Sequence, residues 1–361
     1  MARIQQLQLT QFRNIQQAEL TLASGLNVII GDNAAGKTSV IEALWVLASG
    51  RSFRTHKPQQ LIQTGQAEST VFCQVERSQQ HHKLGLKRTV QGLELRMDGQ
   101  SLANQSEMAR YLPIQLLTPE SHRLLEEGPK ARRQFLDWGC FYHHPNFMSA
   151  WRHYQRALKQ RNQSLKKQLP IQQIQLWDAV LVQTGEQISE LRAQYLNQLQ
   201  PYLVEYLTAL MPELKPEFDI KFYPGWPANQ PNYQACLQDQ VTKDLQIGHT
   251  QYGCHRADIK FKIDHQEPLV ALSRGQQKLF VCALLLAQAQ FHQQSTGDSV
   301  IMLIDDLPAE LDQTHRQTLL SLLNQLNIQH LVTTTSQDLI PTQQDPEARY
   351  FKIEQGQINQ V

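Results

Sequence analysis

The sequence is short of the features that announce many protein classes. It has 5 cysteines in 361 residues, at positions 73, 140, 236, 254 and 282, and no two of them form a CxxC pair. An odd count at wide spacing argues against a disulfide framework and suits a reducing compartment. Cys254-His255 resembles half of a zinc site, but no second pair stands elsewhere to complete four ligands. Long apolar runs are missing as well. The longest, LFVCALLLA at 279–287, falls far short of the ~20 residues that a membrane-spanning helix needs. The opening MARIQQLQLTQF has no continuous apolar segment of the kind an export signal carries. A soluble, cytoplasmic protein with no membrane partner is expected. Net charge is almost absent: 34 Lys and Arg against 33 Asp and Glu leave +1. No partner follows from that total, and charge has to be read by segment. There is no internal repeat, and no heptad run long enough for an extended coiled coil.

What is present begins at VIIGDNAAGKTSVIEALWVL, residues 28–47. Val28, Ile29 and Ile30 read as a buried strand. Gly31, Asp32, Asn33, Ala34, Ala35, Gly36, Lys37 and Thr38 fit G-x-x-x-x-G-K-[ST]. An amphipathic helix follows, with Val40, Leu44 and Leu47 at helical spacing. Strand, loop and helix stand in the order that a phosphate-binding loop requires. Backbone N–H groups of such a loop converge on a β-phosphate at the positive end of a helix. Lys37 then reaches the β- and γ-phosphates, and the Thr38 hydroxyl meets Mg²⁺.

Such a loop needs an acidic partner from a neighbouring strand. SVIMLIDD, 299–306, supplies an apolar strand ending in Asp305 and Asp306. Asp305 is expected in the Mg²⁺ shell and Asp306 near the attacking water; the plainer alternative is two solvated acids at a strand end. Between these motifs, LSRGQQKLFVCALLLAQAQ starts at Leu272. Ser273 and Gln276 have the spacing of a capping box, and Gly275 permits close backbone approach. This helix end is either an ordinary cap or an anion receptor for the γ-phosphate held by a second subunit.

The motifs together resemble the ATP-binding-cassette heads of the SMC/Rad50 class. PESHRLLEEGPKARRQFLD at 119–137 and LIDDLPAELDQTHRQTLL at 303–320 are similar to the two signatures of the RecF family, as are QLTQFRNIQQAEL and GRSFRTHKP near the start. Ala34 stands where that family usually has Gly, and Glu127 where a small residue is commoner. Thr333 to Thr335 occupy the place where transporter ATPases put a switch histidine. The resemblance implies an α/β fold: a P-loop ABC-type ATPase head with a mixed sheet, split by an inserted, mainly helical arm lobe. Its expected parts are 1–118 (ATPase lobe with Walker A), 119–264 (helical arm lobe) and 265–361 (ATPase lobe with signature and Walker B). It further implies ATP and Mg²⁺ as ligands and weak, DNA-stimulated ATP turnover used as a switch. Single- and double-stranded DNA, an ATP-dependent homodimer, and RecR and RecO acting to help RecA are the implied partners. An SMC/Rad50-type structural head, a transporter-type ATPase and a small P-loop kinase are the competing readings.

The pattern along the chain agrees with a split head. Ile4, Leu7, Leu9 and Phe12 mark an opening strand, and LKRTVQGLELRMDGQ at 86–100 reads as a hairpin region. Residues 128–210 are helical in pattern, and Pro212, Pro216, Pro224, Pro227 and Pro231 break the chain after them. No acid lies between Asp137 and Asp178, where Arg152, Arg156, Lys159, Arg161, Lys166 and Lys167 fall. Arg152, Arg156, Lys159 and Lys166 share one helical face, which suits DNA phosphates or is simply a solvated face. Arg51, Arg54 and Lys57 form a second candidate DNA contact. Arg132 and Arg133 are expected to brace the two lobes. Nothing resembles a base-reading motif, so binding should follow DNA structure rather than sequence.

Overall fold

The computed structural model describes residues 1–214, 217–340 and 345–361; Pro216 lies outside them. Strands β1 (Arg3–Phe12), β2 (Ile15–Thr21) and β3 (Leu26–Ile30) precede helix α1 (Lys37–Ser49). Strands β4 (Glu68–Arg77), β5 (Gln80–Thr89), β6 (Leu93–Met97) and β7 (Gln100–Ser101) follow, then α2 (Gln105–Ala109) and β8 (Ile114–Leu117). The middle of the chain holds α3 (Arg123–Glu126), α4 (Pro129–His143), α5 (Phe147–Lys166), α6 (Ile171–Gln175), α7 (Asp178–Leu210), β9 (Phe218–Tyr223), α8 (Tyr233–Ile247), β10 (Asp258–Ile263) and α9 (Pro268–Ala271). The last part holds α10 (Arg274–Thr296), β11 (Ile301–Ile304), α11 (Leu307–Glu310), α12 (Gln313–Gln325), β12 (Gln329–Thr334), β13 (Arg349–Glu354) and β14 (Gln357–Gln360).

These elements form two compact units. The first comprises Met1–His122, Ala209–Met211 and Lys278–Val361; the second comprises Arg123–Thr208 and Pro212–Gln277. The later border therefore falls inside α10, thirteen residues beyond the 264/265 expected from the sequence. Ser273 and Gly275 belong to the second unit.

The first unit contains two six-stranded sheets. One is antiparallel, in the order β2-β1-β4-β5-β6-β7. Its first strand explains an oddity of spacing: Ile4 and Leu7 are three apart, yet both are buried. A register shift between Ile4 and Gln6 turns the chain by one residue there, after which Leu7 and Leu9 resume period two. The other sheet is mixed, in the order β14-β13-β3-β12-β11-β8. Strands β13, β3, β12, β11 and β8 pair in parallel, and only β14 is antiparallel. The short β11 and β12 are buried at every position, as central parallel strands are.

Helix α1 is less amphipathic than its sequence spacing indicates. Val40, Ile41, Ala43, Leu44, Val46 and Leu47 are all buried. They share one apolar cluster with Leu7, Leu9 and Val71 of the antiparallel sheet and with Ile29, Leu303 and Leu331 of the mixed sheet. A helix buried on several faces needs no polar side. Each such leucine or isoleucine stabilises by about 1.5–3 kcal/mol, which anchors the loop at the N-terminus of α1.

The second unit is mainly helical, with β9 and β10 as an antiparallel ribbon. Arg161, which falls in the acid-free stretch but off the face shared by Arg152, Arg156, Lys159 and Lys166, is 0% exposed. Its guanidinium donates to Asp178 at 2.8 Å, Asp244 at 2.7 Å and Thr250 at 2.8 Å. Period 3.6 places it on the face of Leu158 and Leu165, which are also buried. Arg132 and Arg133, expected to brace the two lobes, have these described contacts inside the second unit. Arg132 forms a bidentate pair with Asp258 at 2.8 and 3.0 Å, and Arg133 donates to the Ala257 carbonyl at 2.7 Å. Both partners lie in the second unit, where these arginines tie α4 to the start of β10.

Candidate nucleotide-binding site

In the mixed sheet β3, β12 and β11 are neighbours, so the segments leaving their carboxyl ends meet. That edge is where open α/β sheets bind ligands. The loop after β3 enters α1 through Gly36, at φ 122°, a backbone setting that L side chains rarely adopt. Gly31 opens the loop, and a Cβ there would stand 2.4 Å from the Ile353 carbonyl oxygen. Ala34 sits at φ 65°, in the left-handed region that costs a non-glycine residue roughly 1–2 kcal/mol. The alanine that departs from the usual glycine is thus held in a glycine's conformation.

The Lys37 ammonium donates to the carbonyls of Gly31 at 2.6 Å and Asp32 at 2.9 Å. Burial pushes its pKa below the ordinary lysine value, against the opposing charges of Asp306, Asp305 and Asp32. Thr38 Oγ1 donates to Asp305 Oδ1 at 3.0 Å, and Thr333 Oγ1 donates to the same oxygen at 2.8 Å. Burial raises the Asp305 pKa, and the two threonine hydrogen bonds oppose that rise. Thr333 Oγ1 also accepts the Asp306 N–H at 2.7 Å. Asp306 stands just before α11 in the left-handed conformation, φ 54°, and its side chain makes no capping bond. Lys37, Thr38, Asp305 and Asp306 therefore converge, as the sequence predicts. They line a cleft of about 1050 Å³ with Asn33, Ala34 and Gly36.

The cleft also contains residues that the motifs did not single out. Asn14, Arg13, Ile62, Gln63 and Gln66 line it. Asn14 donates to the Ala35 carbonyl at 2.9 Å and accepts from Ser39 Oγ at 2.9 Å, so it braces the loop. Arg13 grips the buried Glu42 carboxylate at 2.9 and 2.5 Å, and Ser52 donates to the same carboxylate. The signal for Glu42 was available: it is the one charged residue in the otherwise apolar VIEALWVL. Thr333 was noticed only for not being a histidine. Arg54, expected at DNA, lines this cleft and reaches Glu42 at 3.4 Å.

The donor set fits a nucleotide's Mg²⁺. One hydroxyl and one carboxylate, both hard oxygen ligands, lie in contact, and Mg²⁺ takes few protein ligands beside phosphate and water. Among the described residues no group of three or more His, Cys, Asp or Glu side chains converges on a metal position. Cys254 is buried, and the His255 ring bonds Tyr154 at 2.7 Å.

Ser273 and Gln276 form the capping box: the Ser273 N–H donates to Gln276 Oε1 at 2.9 Å, and the Gln276 N–H to Ser273 Oγ at 3.3 Å. Ser273, Arg274 and Gly275 are exposed. A Cβ on Gly275 would meet nothing within 4 Å, so packing inside the chain does not require glycine there. Arg152, Arg156, Lys159 and Lys166 are exposed on α5, and Arg51 and Lys57 are exposed beyond α1.

Comparison with known proteins agrees with this geometry. The model of the RecF/RecN/SMC N-terminal domain matches residues 3–359. The DNA replication and repair protein RecF of Hydrogenovibrio crunogenus (strain DSM 25203 / XCL-2) is 59% identical, over 99% of each chain. The chain belongs to the RecF family. RecF of Shewanella loihica (strain ATCC BAA-1088 / PV-4) is 43% identical, again over 99% of each chain. Among solved structures, the recombination mediator protein RecF with ATPrS, of the RecFOR pathway, superposes with a TM-score of 0.89 at 25% identity. The match covers 100% of this chain and 98% of that one. A Pyrococcus furiosus Smc head domain gives 0.60 at 15% identity, a likeness of fold: an ABC-type ATPase head. RecF proteins are thus the relatives against which the cleft has to be understood.

Proposed function

We propose that this chain is an ATP-switched DNA-binding protein of replication and of recombinational gap repair. The observation that carries the reading is the junction of Thr38, Asp305 and Thr333 at the carboxyl ends of three adjacent strands, beside Lys37. The RecF relatives and the ATP-bound RecF structures support ATP as the ligand.

In this reading the 31–38 loop amides and the N-terminus of α1 hold the phosphates. Lys37 exchanges its loop carbonyls for the β- and γ-phosphates. Thr38 and Asp305 hold Mg²⁺, which neutralises charge on the phosphates when bound. Asp306 orients the attacking water; its carboxylate is a methylene shorter than glutamate, in keeping with slow turnover that serves as a switch and is stimulated by DNA. Ser273 and the open Gly275 receive the γ-phosphate held by a second copy, so that the active form is a homodimer closed over two nucleotides. Arg152, Arg156 and Lys159, with Arg51 and Lys57, contact single- and double-stranded DNA phosphates. RecR and RecO are the partners, aiding RecA in the cytoplasm; the RecFOR description of the solved relatives supports that assignment. No described helix is long and apolar enough to cross a membrane.

Sedimentation with Mg-ATP tests the core of this. ATP should drive dimerisation and ADP should not, because ADP lacks the phosphate that fills the Ser273 receptor. Ser273→Arg should remain monomeric while still binding ATP. A variant dimer of undiminished stability would contradict the composite site.

A further inference from the structure

We propose that the β9–β10 ribbon is a contact surface for single-stranded DNA, with Lys221, Lys260 and Lys262 meeting phosphates and Tyr223 offering its ring to a base. Alternation along β10 buries Ile259, Phe261 and Ile263, which turns Lys260 and Lys262 to the opposite face. The antiparallel register sets Lys260 directly against Lys221, and Lys262 against Asp219. Like charges opposite each other destabilise a ladder. Here the ladder has only two strands, the least stable kind of sheet.

Glu267 lines one pocket with Lys260, but the acids of the two strands themselves do not cancel the charge. Asp219, 3.7 Å from Lys221, is one carboxylate for three ammonium groups. Asp258, opposite Tyr223, is taken up by the bidentate pair with Arg132. The Lys221 side chain is 62% exposed and Tyr223 44%. Lys260 Nζ lies over one face of the Tyr223 ring, 5.7 Å from its centroid, so the cation covers that face and leaves the opposite one for a base. Single-strand grooves combine the same two elements, because a base has a face to stack and a phosphate to neutralise. An acidic protein segment would use the lysines and leave the ring idle. A repulsive pair kept on a weak ribbon is explained by an anion that relieves it.

The inference rests on the reading of the chain as a DNA-binding protein, and the test separates the two. With Mg-ATP, the full chain is titrated with a fluorescent oligothymidylate and with a duplex across a salt series. In the Lys221→Gln/Lys260→Gln/Lys262→Gln variant, the slope of log K on log salt for the oligothymidylate should fall by about 0.7 per lost contact, or roughly 2 in all. Tyr223→Ala should weaken that binding about tenfold and leave the slope unchanged. Lys260→Gln alone should weaken oligothymidylate binding and lower the salt slope by about 0.7. Wild-type slope and affinity in the triple variant would overturn the ribbon assignment and leave the DNA-binding reading standing. Equal losses on duplex would overturn the single-strand preference. Retained DNA binding with lost binding of a polyglutamate peptide would reassign the ribbon to a protein partner. No DNA binding by the wild type would overturn both readings.

Discussion

Glu42 in the first unit and Arg161 in the second are both 0% exposed and both ringed by opposite charge. Their surroundings differ in where they lead. The partners of Arg161 are themselves shut in: the side chains of Asp178 and Asp244 are 12% and 1% exposed. The partners of Glu42 open outward: Arg13 is 17% exposed and Arg54 46%, and both line the cleft. The bonds differ likewise. Arg161 is held at 2.7–2.8 Å by each partner, whereas Arg54 reaches Glu42 at 3.4 Å, on a carboxylate that Arg13 already holds with two bonds. A sealed ion network specifies packing. One that leaks toward a cleft leaves a cation free to change partners.

The sharpest way to break the comparison is Arg161→Ala. It leaves Asp178 and Asp244 buried without their cation and should cost about 3–5 kcal/mol, read by chemical denaturation; a loss under 1 kcal/mol would show that the network is not sealed. Lys37→Arg attacks the open side instead. It should keep nucleotide binding, since the charge survives, and lower turnover by about a hundredfold or more, since the fork is misplaced against the phosphates. Wild-type turnover in that variant would remove Lys37 from the site. Arg54→Ala takes only the exchangeable cation. ADP affinity should hold while the preference for ATP over ADP falls about tenfold, or ~1.4 kcal/mol; equal losses for both nucleotides would mean that Arg54 is a structural strut like Arg13. The smallest effect belongs to Ala34→Gly. Relief of the left-handed alanine and the greater freedom of an unfolded glycine oppose each other, so stability should change by less than about 1 kcal/mol. A loss of 2 kcal/mol or more would mean that the alanine side chain is needed.

The same contrast separates what was legible in the sequence from what was not. The loop, the Asp305 strand and the capping box could be read because each is local: a run of neighbours dictates the backbone, and the backbone places the group. Lys37 and Thr38 are adjacent in the chain. Arg161 could not be read as buried, because its place depends on Asp178, Asp244 and Thr250, up to 89 residues away. Counting charge along one helix leaves it off the basic face but does not supply its partners. The place of Arg54 at the cleft was hidden for a related reason, since that cleft is assembled from the β1–β2 turn, the 33–39 segment, the 60–66 segment, the residues after β11 and Thr333 of β12. Thr333 is 28 residues from Asp305, and only the parallel pairing of β11 with β12 brings the two together. The register shift in β1 was foreshadowed by the three-residue step from Ile4 to Leu7.

Two hydroxyls donate to one oxygen of Asp305, and that makes the carboxylate lopsided. Oδ1 receives both Thr38 and Thr333, so Oδ2 is the oxygen left for a cation. Thr333 Oγ1 already accepts the Asp306 N–H, and the O–H of each threonine is left with residue 305 as its acceptor. An asparagine at 305 keeps both threonine O–H groups paired in one orientation only. Its carbonyl would have to face the threonines, and its NH₂ would point into the cleft. The substitution usually regarded as the mildest would put a donor where an acceptor had been, and turn a cation's ligand into an obstacle to it.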